Sequence, residues 1–137
     1  MNIVETSRSI FAAFDRGDKE SIIEALAPDV QWEYGPLSHD VPWYQNGKGH
    51  DFVRKFLDMC YRDMTFQRFT RSHFFVDGNI VVVLGDAEYM IKNNGRKVFY
   101  EDVVFLFHFN EVGKVQKFAH RNDTHQAWLA YHNRGLS

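Results

Sequence analysis

The chain is poor in the residues that would announce a chemistry. Cys60 is its only cysteine, which excludes an intrachain disulfide and any C-x-x-C metal or redox motif. No two of its seven histidines stand in H-x-x-x-H spacing, so the helical zinc pattern is missing and no metal is expected. Neither sign of charge dominates: 16 basic and 18 acidic residues leave a net charge of −2. That balance gives no electrostatic footprint for nucleic acid or for an anionic membrane. No apolar run approaches the ~20 residues of a membrane span. Residues 1–5 lack the basic and apolar regions of a signal peptide, and a reducing cytoplasm is the compartment expected. Three prolines and no repeats or low-complexity stretches point to one domain over residues 1–137. What is plentiful is aromatic: 13 Phe, 6 Tyr and 3 Trp. Such a content suits a large core or an apolar cavity.

Two long runs dominate the second half, residues 80–91 and 98–109. Both are rich in β-branched and aromatic side chains, which fit a pleated surface. Asn94-Gly95 lies between them and suits a two-residue type I′ hairpin turn. That register sets Met90 opposite Phe99, Glu88 opposite Glu101, Asp86 opposite Val103 and Leu84 opposite Phe105. Alternation then puts Asp86, Glu88 and Glu101 together on an otherwise apolar face. Two carboxylates directly opposite destabilise a sheet, so their placement asks for an explanation. The other face carries Tyr89, Tyr100, Val104 and Leu106. It is too apolar to be left wet, and a homodimer is expected through it.

The rest of the chain reads in order. Residues 3–16 form an amphipathic helix capped by Asn2, with Gly17 just past its end. Asp18 caps a short helix over 19–26, ended by Pro28. Residues 30–34 alternate as a strand with Val30, Trp32 and Tyr34 on one side. Residues 35–49 form a loop carrying Trp43 and Tyr44, suited to a lid or a plug. A third helix spans 50–62, where Cys60 falls on the core stripe. Strands follow over 65–76 and 114–123, and Asp123 caps a short amphipathic tail over 124–132. Helices first and a run of strands later means α+β, with a curved antiparallel sheet wrapped around three helices of the N-terminal half.

This order, with Phe11-Ala12-Ala13-Phe14-Asp15-Arg16-Gly17-Asp18, Leu26-Ala27-Pro28-Asp29-Val30-Gln31-Trp32, Val41-Pro42-Trp43, Gly47-Lys48-Gly49-His50, Val76-Asp77-Gly78-Asn79, Gly113-Lys114-Val115 and Asn122-Asp123-Thr124, resembles the nuclear transport factor 2-like superfamily. Within it the chain is similar to the SnoaL-like, ketosteroid-isomerase-related proteins. The resemblance implies a cone-shaped, cystatin-like α+β roll with a pocket inside, and it too points to a homodimer. It does not fix a reaction, because the fold hosts isomerases, hydrolases, cyclases and non-catalytic proteins. At the two positions where steroid isomerases of this family carry hydrogen-bond donors to the substrate oxygen, this chain has Ile10 and Phe105. Their proton-shuttling aspartate falls near Tyr34. The Asp–Arg–Asp set of the similar limonene epoxide hydrolases falls on Glu88, Asp86 and His120, without the arginine. The acid of the polyketide cyclases falls nearest to Glu101 and His120. The resemblance also turns Phe118, His120 and Asn122 inward.

Together these readings name Glu88, Glu101 and His120 as candidate catalytic residues. Trp32, Tyr34, Trp43, Asp86, Phe118 and Asn122 are the candidate ligand-binding ones. One reading is an isomerase, cyclase or hydrolase that uses no metal or organic cofactor on a small hydrophobic molecule. The alternative is a non-catalytic binder of such a molecule, or a structural homodimeric domain. A large cavity holding an acid within reach of His120 separates the first from the second, for which a filled cone or a cavity without a titratable pair is expected.

Overall fold

The computed structural model describes residues 2–134. Helix α1 (Ile3–Asp15) starts where the Asn2 carboxamide accepts the Glu5 N–H, and it buries Ile10, Phe11 and Ala13. Gly17 takes a positive φ of 73°, the left-handed turn that ends many helices. Helix α2 (Lys19–Glu24) begins at the Asp18 cap. It is shorter than the sequence suggests. The Ala25 carbonyl is taken by the Val115 N–H at 2.9 Å, and strand β1 (Leu26–Glu33) starts at once. A tertiary hydrogen bond, not Pro28, stops the helix.

Residues 35–49 contain a 3-10 turn (Leu37–His39) and a short strand β2 (Asn46–Lys48). Helix α3 (His50–Asp63) follows and buries Val53, Phe56, Leu57 and Cys60. Strands β3 (Met64–Asp77), β4 (Ile80–Ile91), β5 (Lys97–Phe109) and β6 (Val115–Arg121) complete the sheet, and helix α4 (Thr124–Tyr131) closes the chain. Asp123 caps α4 through the His125 N–H. Among the described residues no helix is long and apolar enough to cross a membrane.

The six strands run in the order β2-β1-β6-β5-β4-β3. All pairs are antiparallel except β1 with β6, which is parallel. The expected all-antiparallel sheet is therefore mixed, because the long path between β1 and β6 leaves their relative direction free. The sheet curves around α1 and α3. On its concave side Phe11 meets Phe69, Phe74, Phe105 and Phe107 edge-on, with centroids 5.1–6.3 Å apart.

The central hairpin departs from its expected register. The turn is a four-residue loop, with Ile91 and Arg96 hydrogen-bonded and Gly95 donating to the Ile91 carbonyl. Asn94 is held from outside the hairpin: its amide donates to the carbonyls of Ala130 (2.9 Å) and Tyr131 (3.2 Å) in α4. Glu88 consequently faces Phe99, and Ala87 faces Tyr100. A bulge follows, two residues (Glu101, Asp102) against one (Asp86), and Asp102 adopts φ 54°. The Asp86 carboxylate accepts the Asp102 N–H at 3.1 Å and satisfies the bulge. The turn moves the pairing by two residues and leaves the faces unchanged, but the bulge moves it by one, so that Val103, Phe105 and Phe107 join the face of Tyr89 and Tyr100. Tyr89 and Tyr100 turn into the core. Glu88 and Asp86 turn to the convex side, and Glu101 is exposed. Gly85 is required next to this bulge: a Cβ there would stand 1.8 Å from the Thr70 carbonyl oxygen.

Candidate functional site in the cone

The concave side of β1, β5 and β6 and the inner faces of α1 and α3 enclose a cavity of about 50 Å³. Its wall is built from Ile10, Trp32, Tyr34, Phe56, Phe105 and Phe118, with other apolar side chains and Cys60. Alternation on β1 aims Trp32 and Tyr34 inward. The parallel neighbour β6 aims Phe118 and His120 the same way. Trp32 stacks on Phe118 at 4.2 Å. The His120 ring lies between Tyr34 at 4.4 Å and Phe105 at 4.5 Å.

His120 ends a line of hydrogen bonds. Tyr89 O–H meets Tyr100 O–H at 3.2 Å, and Tyr100 meets Tyr44 O–H at 2.7 Å. Tyr44 donates to Asn122 Oδ1 at 3.1 Å. Asn122 Nδ2 lies 2.8 Å from His120 Nε2. Since the amide nitrogen can only donate, Nε2 accepts and the imidazole proton sits on Nδ1. That N–H is buried, with the Val104 backbone beside it but no hydrogen bond of full geometry, and the indole N–H of Trp32 is buried without a partner. Burial pushes the His120 pKa down to about 3, and the neighbouring Arg121 charge acts in the same direction. Burial pushes Tyr44 up to about 12 and holds Tyr34, Tyr89, Tyr100 and the Cys60 thiol well above their ordinary values. At neutral pH these groups are all uncharged.

The residues named from sequence divide cleanly. Trp32, Tyr34, Phe118, His120 and Asn122 gather at or beside the cavity. Trp43 is 2% exposed and packs edge-on against Tyr89 and Tyr131. With Tyr44 it plugs the end of the cone. Glu88, Glu101 and Asp86 do not meet His120. They lie on the convex side or in solvent, where Asp86 serves the bulge and stands 3.9 Å from Arg68. The longer loop ends the direct opposition of Glu88 and Glu101, and the bulge over Glu101 and Asp102 puts Phe105 and Phe107 on the core side with Tyr89 and Tyr100, which leaves the acids outside. Tyr44, Tyr89 and Tyr100 are the members that sequence reading missed. The signal was present, since Tyr89 and Tyr100 share a face in either register; only which face was misassigned. Ile10 and Phe105 both border the cavity, so the two donor positions of the steroid isomerases are apolar here. Among the described residues no three His, Cys, Asp or Glu side chains converge as a metal site.

Residues 7–118 match the SnoaL-like domain family. No curated protein is significantly similar to the chain. An NTF2-like protein of unknown function from Burkholderia pseudomallei shares 27% identity over 95% of this chain and 97% of its own, with a TM-score of 0.84. An NTF2-like protein from Burkholderia xenovorans shares 25% over 93% and 94%, with a TM-score of 0.82. TerC, crystallised with polyporic acid, has the same fold at 24% identity over 96% and 95%, with a TM-score of 0.77. Cone, sheet order and match over residues 7–118 agree, and the chain belongs to the SnoaL-like domain family within the NTF2-like superfamily.

Proposed function

We propose that the protein binds a small, largely apolar molecule in its cone. One observation carries this reading: the cavity wall holds no charged side chain. Water gains little in such a space, because it needs two to four polar partners to settle. An apolar group gains from leaving water, at ~25 cal/mol per Å² removed. Tyr34 lines the cavity and its hydroxyl makes no hydrogen bond among the described residues, so it is free to donate to one oxygen of a guest. The test is xenon dissolved under pressure and followed by NMR. Shifts at Phe105, Phe118 and Trp32 are expected, and they should vanish when Cys60→Met fills the space. Xenon that leaves these signals unmoved would defeat the binding reading.

A catalytic reading, of the isomerase or cyclase type, is favoured by the unbroken hydrogen-bond line from Tyr89 to His120. That line holds the imidazole neutral and in one tautomer, placed to exchange a proton with a bound substrate without a carboxylate. If a turned-over substrate is found, His120→Gln should abolish turnover while Glu101→Gln keeps it. The reverse result would return the chemistry to the carboxylates.

We also propose that two copies pair through the convex face. There Val82, Leu84, Val104 and Leu106 lie half-buried beside Phe75, which is 54% exposed. The helices α1 and α3 cover only the opposite side. Light scattering should give twice the chain mass at micromolar concentration, and Leu106→Arg should halve it. A monomeric wild type would end this proposal.

A further inference from the structure

The cavity is too small for its place in the molecule. At about 50 Å³ it falls well short of the ~300 Å³ at which small-molecule pockets begin. A groove of about 480 Å³ lies directly outside it, between the C-terminal ends of α1 and α3 and the first half of β3. Cavity and groove have Phe14, Phe66 and Phe69 in common. These three rings stand 5.2–5.9 Å apart and form the wall that the two spaces share. They are half-exposed, whereas the other cavity residues, Tyr34 apart, are buried.

The opposite end of the cone is closed more firmly. Tyr44 is fully buried there and tied to Tyr100 and Asn122. Moving it would strand two buried polar partners, a cost that turning a phenyl ring does not carry. Phe66 and Phe69 both point inward because β3 slips register between Phe66 and Arg68, leaving Gln67 as the extra residue. They also lie on the edge strand, which has no outer neighbour to hold it.

The groove has its own chemistry. Asp15 is its one acid, and Arg71 clasps it with two 2.7 Å bonds. The Arg68 guanidinium turns away over the ring of Phe99. Lys92 remains. Its ammonium has three donors and gives one to the Tyr61 carbonyl at 3.2 Å. No carboxylate lies within 4 Å of it among the described residues.

We infer that groove and cavity form one composite site for a monocarboxylate with an apolar tail. The tail enters between Phe14, Phe66 and Phe69, and the carboxylate stays in the groove against Lys92. An uncharged interior would reject the charged end, which fixes the orientation. This inference rests on the cone-binding reading above and extends it to the route and the ligand class.

The experiment compares octanoate with 1-octanol by calorimetry on the full chain. Octanoate should bind at least ten-fold tighter. Lys92→Gln should erase that difference without weakening octanol, and Lys92→Arg should keep it. Phe66→Ala should raise the association rate of both probes. Equal affinities for the two probes, or an octanoate affinity untouched by Lys92→Gln, would overturn the carboxylate assignment. Unchanged association rates in Phe66→Ala would overturn the route. If neither octyl probe binds but xenon enters, the composite site fails and the cone reading stands. Exclusion of xenon as well removes both.

Discussion

The two faces of the β4–β5 hairpin are made from similar sequence and meet opposite fates. Val83, Tyr89, Tyr100, Val103 and Phe105 on the concave side are at most 3% exposed. Val82, Leu84, Phe99, Val104 and Leu106 on the convex side are half-buried, and Asp86 and Glu88 sit among them. The concave side meets α1 and α3, so each ring there has neighbours on every side. The convex side meets only what lies beyond the chain. Composition does not separate the two sides. What separates them is which one the helices reach, and the register decides which residues that side receives.

The largest break in this contrast is expected at Gly85→Ala. The new Cβ would collide with the Thr70 carbonyl oxygen of β3, a backbone atom that cannot swing away. We expect a loss of ~4 kcal/mol or failure to fold, of the kind seen when packing is forced apart. Asp86→Ala, one residue on and facing outward, should cost only ~1 kcal/mol for the lost bond to Asp102. Urea unfolding of both variants checks this, and similar midpoints would show that the bulge is not where we place it.

The next effect is a pH dependence confined to the concave side. His120 is 4% exposed and its pKa is pushed down to about 3. In the unfolded chain a histidine titrates near 6.5. Between those two values the unfolded state holds the extra proton, so stability must fall as pH falls. The contribution is complete above about pH 6.5 and should shrink by ~2 kcal/mol on reaching pH 5. Unfolding at pH 7 and pH 5 should show this loss in the wild type and not in His120→Phe. An identical loss in the variant would assign it to other groups.

The smallest effect sharpens the contrast from the other side. Glu88→Gln and Glu101→Gln should each stay within ~0.5 kcal/mol of wild type, as surface changes do. A gain or loss of more than ~2 kcal/mol at either position would mean that the carboxylate is buried and that this face of the hairpin is the inner one.

Much of the architecture was legible in local chemistry. The caps at Asn2, Asp18 and Asp123 and the left-handed turn at Gly17 are short-range devices, and each stands where the residue types call for it. The site was legible in part. Trp32, Tyr34, Phe118, His120 and Asn122 were placed by strand alternation together with family likeness, and they do converge. The direct opposition of Glu88 and Glu101 was lost at the turn, and their inward placement was lost at the bulge over Glu101 and Asp102, which sets Tyr89, Tyr100, Phe105 and Phe107 on one side. The turn here is held by two carbonyls of α4, some 36 residues away. No reading of Asn94-Gly95 alone can contain that.

Local sequence was enough for the main helices and strands, the aromatic interior and the uncharged inward faces of β1 and β6, where Val30, Trp32 and Phe118 alternate with outward charges. These follow from period, caps and composition, which act over a few residues. Tertiary structure alone decided that β1 runs parallel to β6, that α2 stops at the hydrogen bond between Ala25 and Val115, and that the acids of the hairpin face outward. Each of these depends on a contact between distant parts of the chain. In a strand, one residue of slip exchanges inside for outside, so a single such contact outweighs the local pattern.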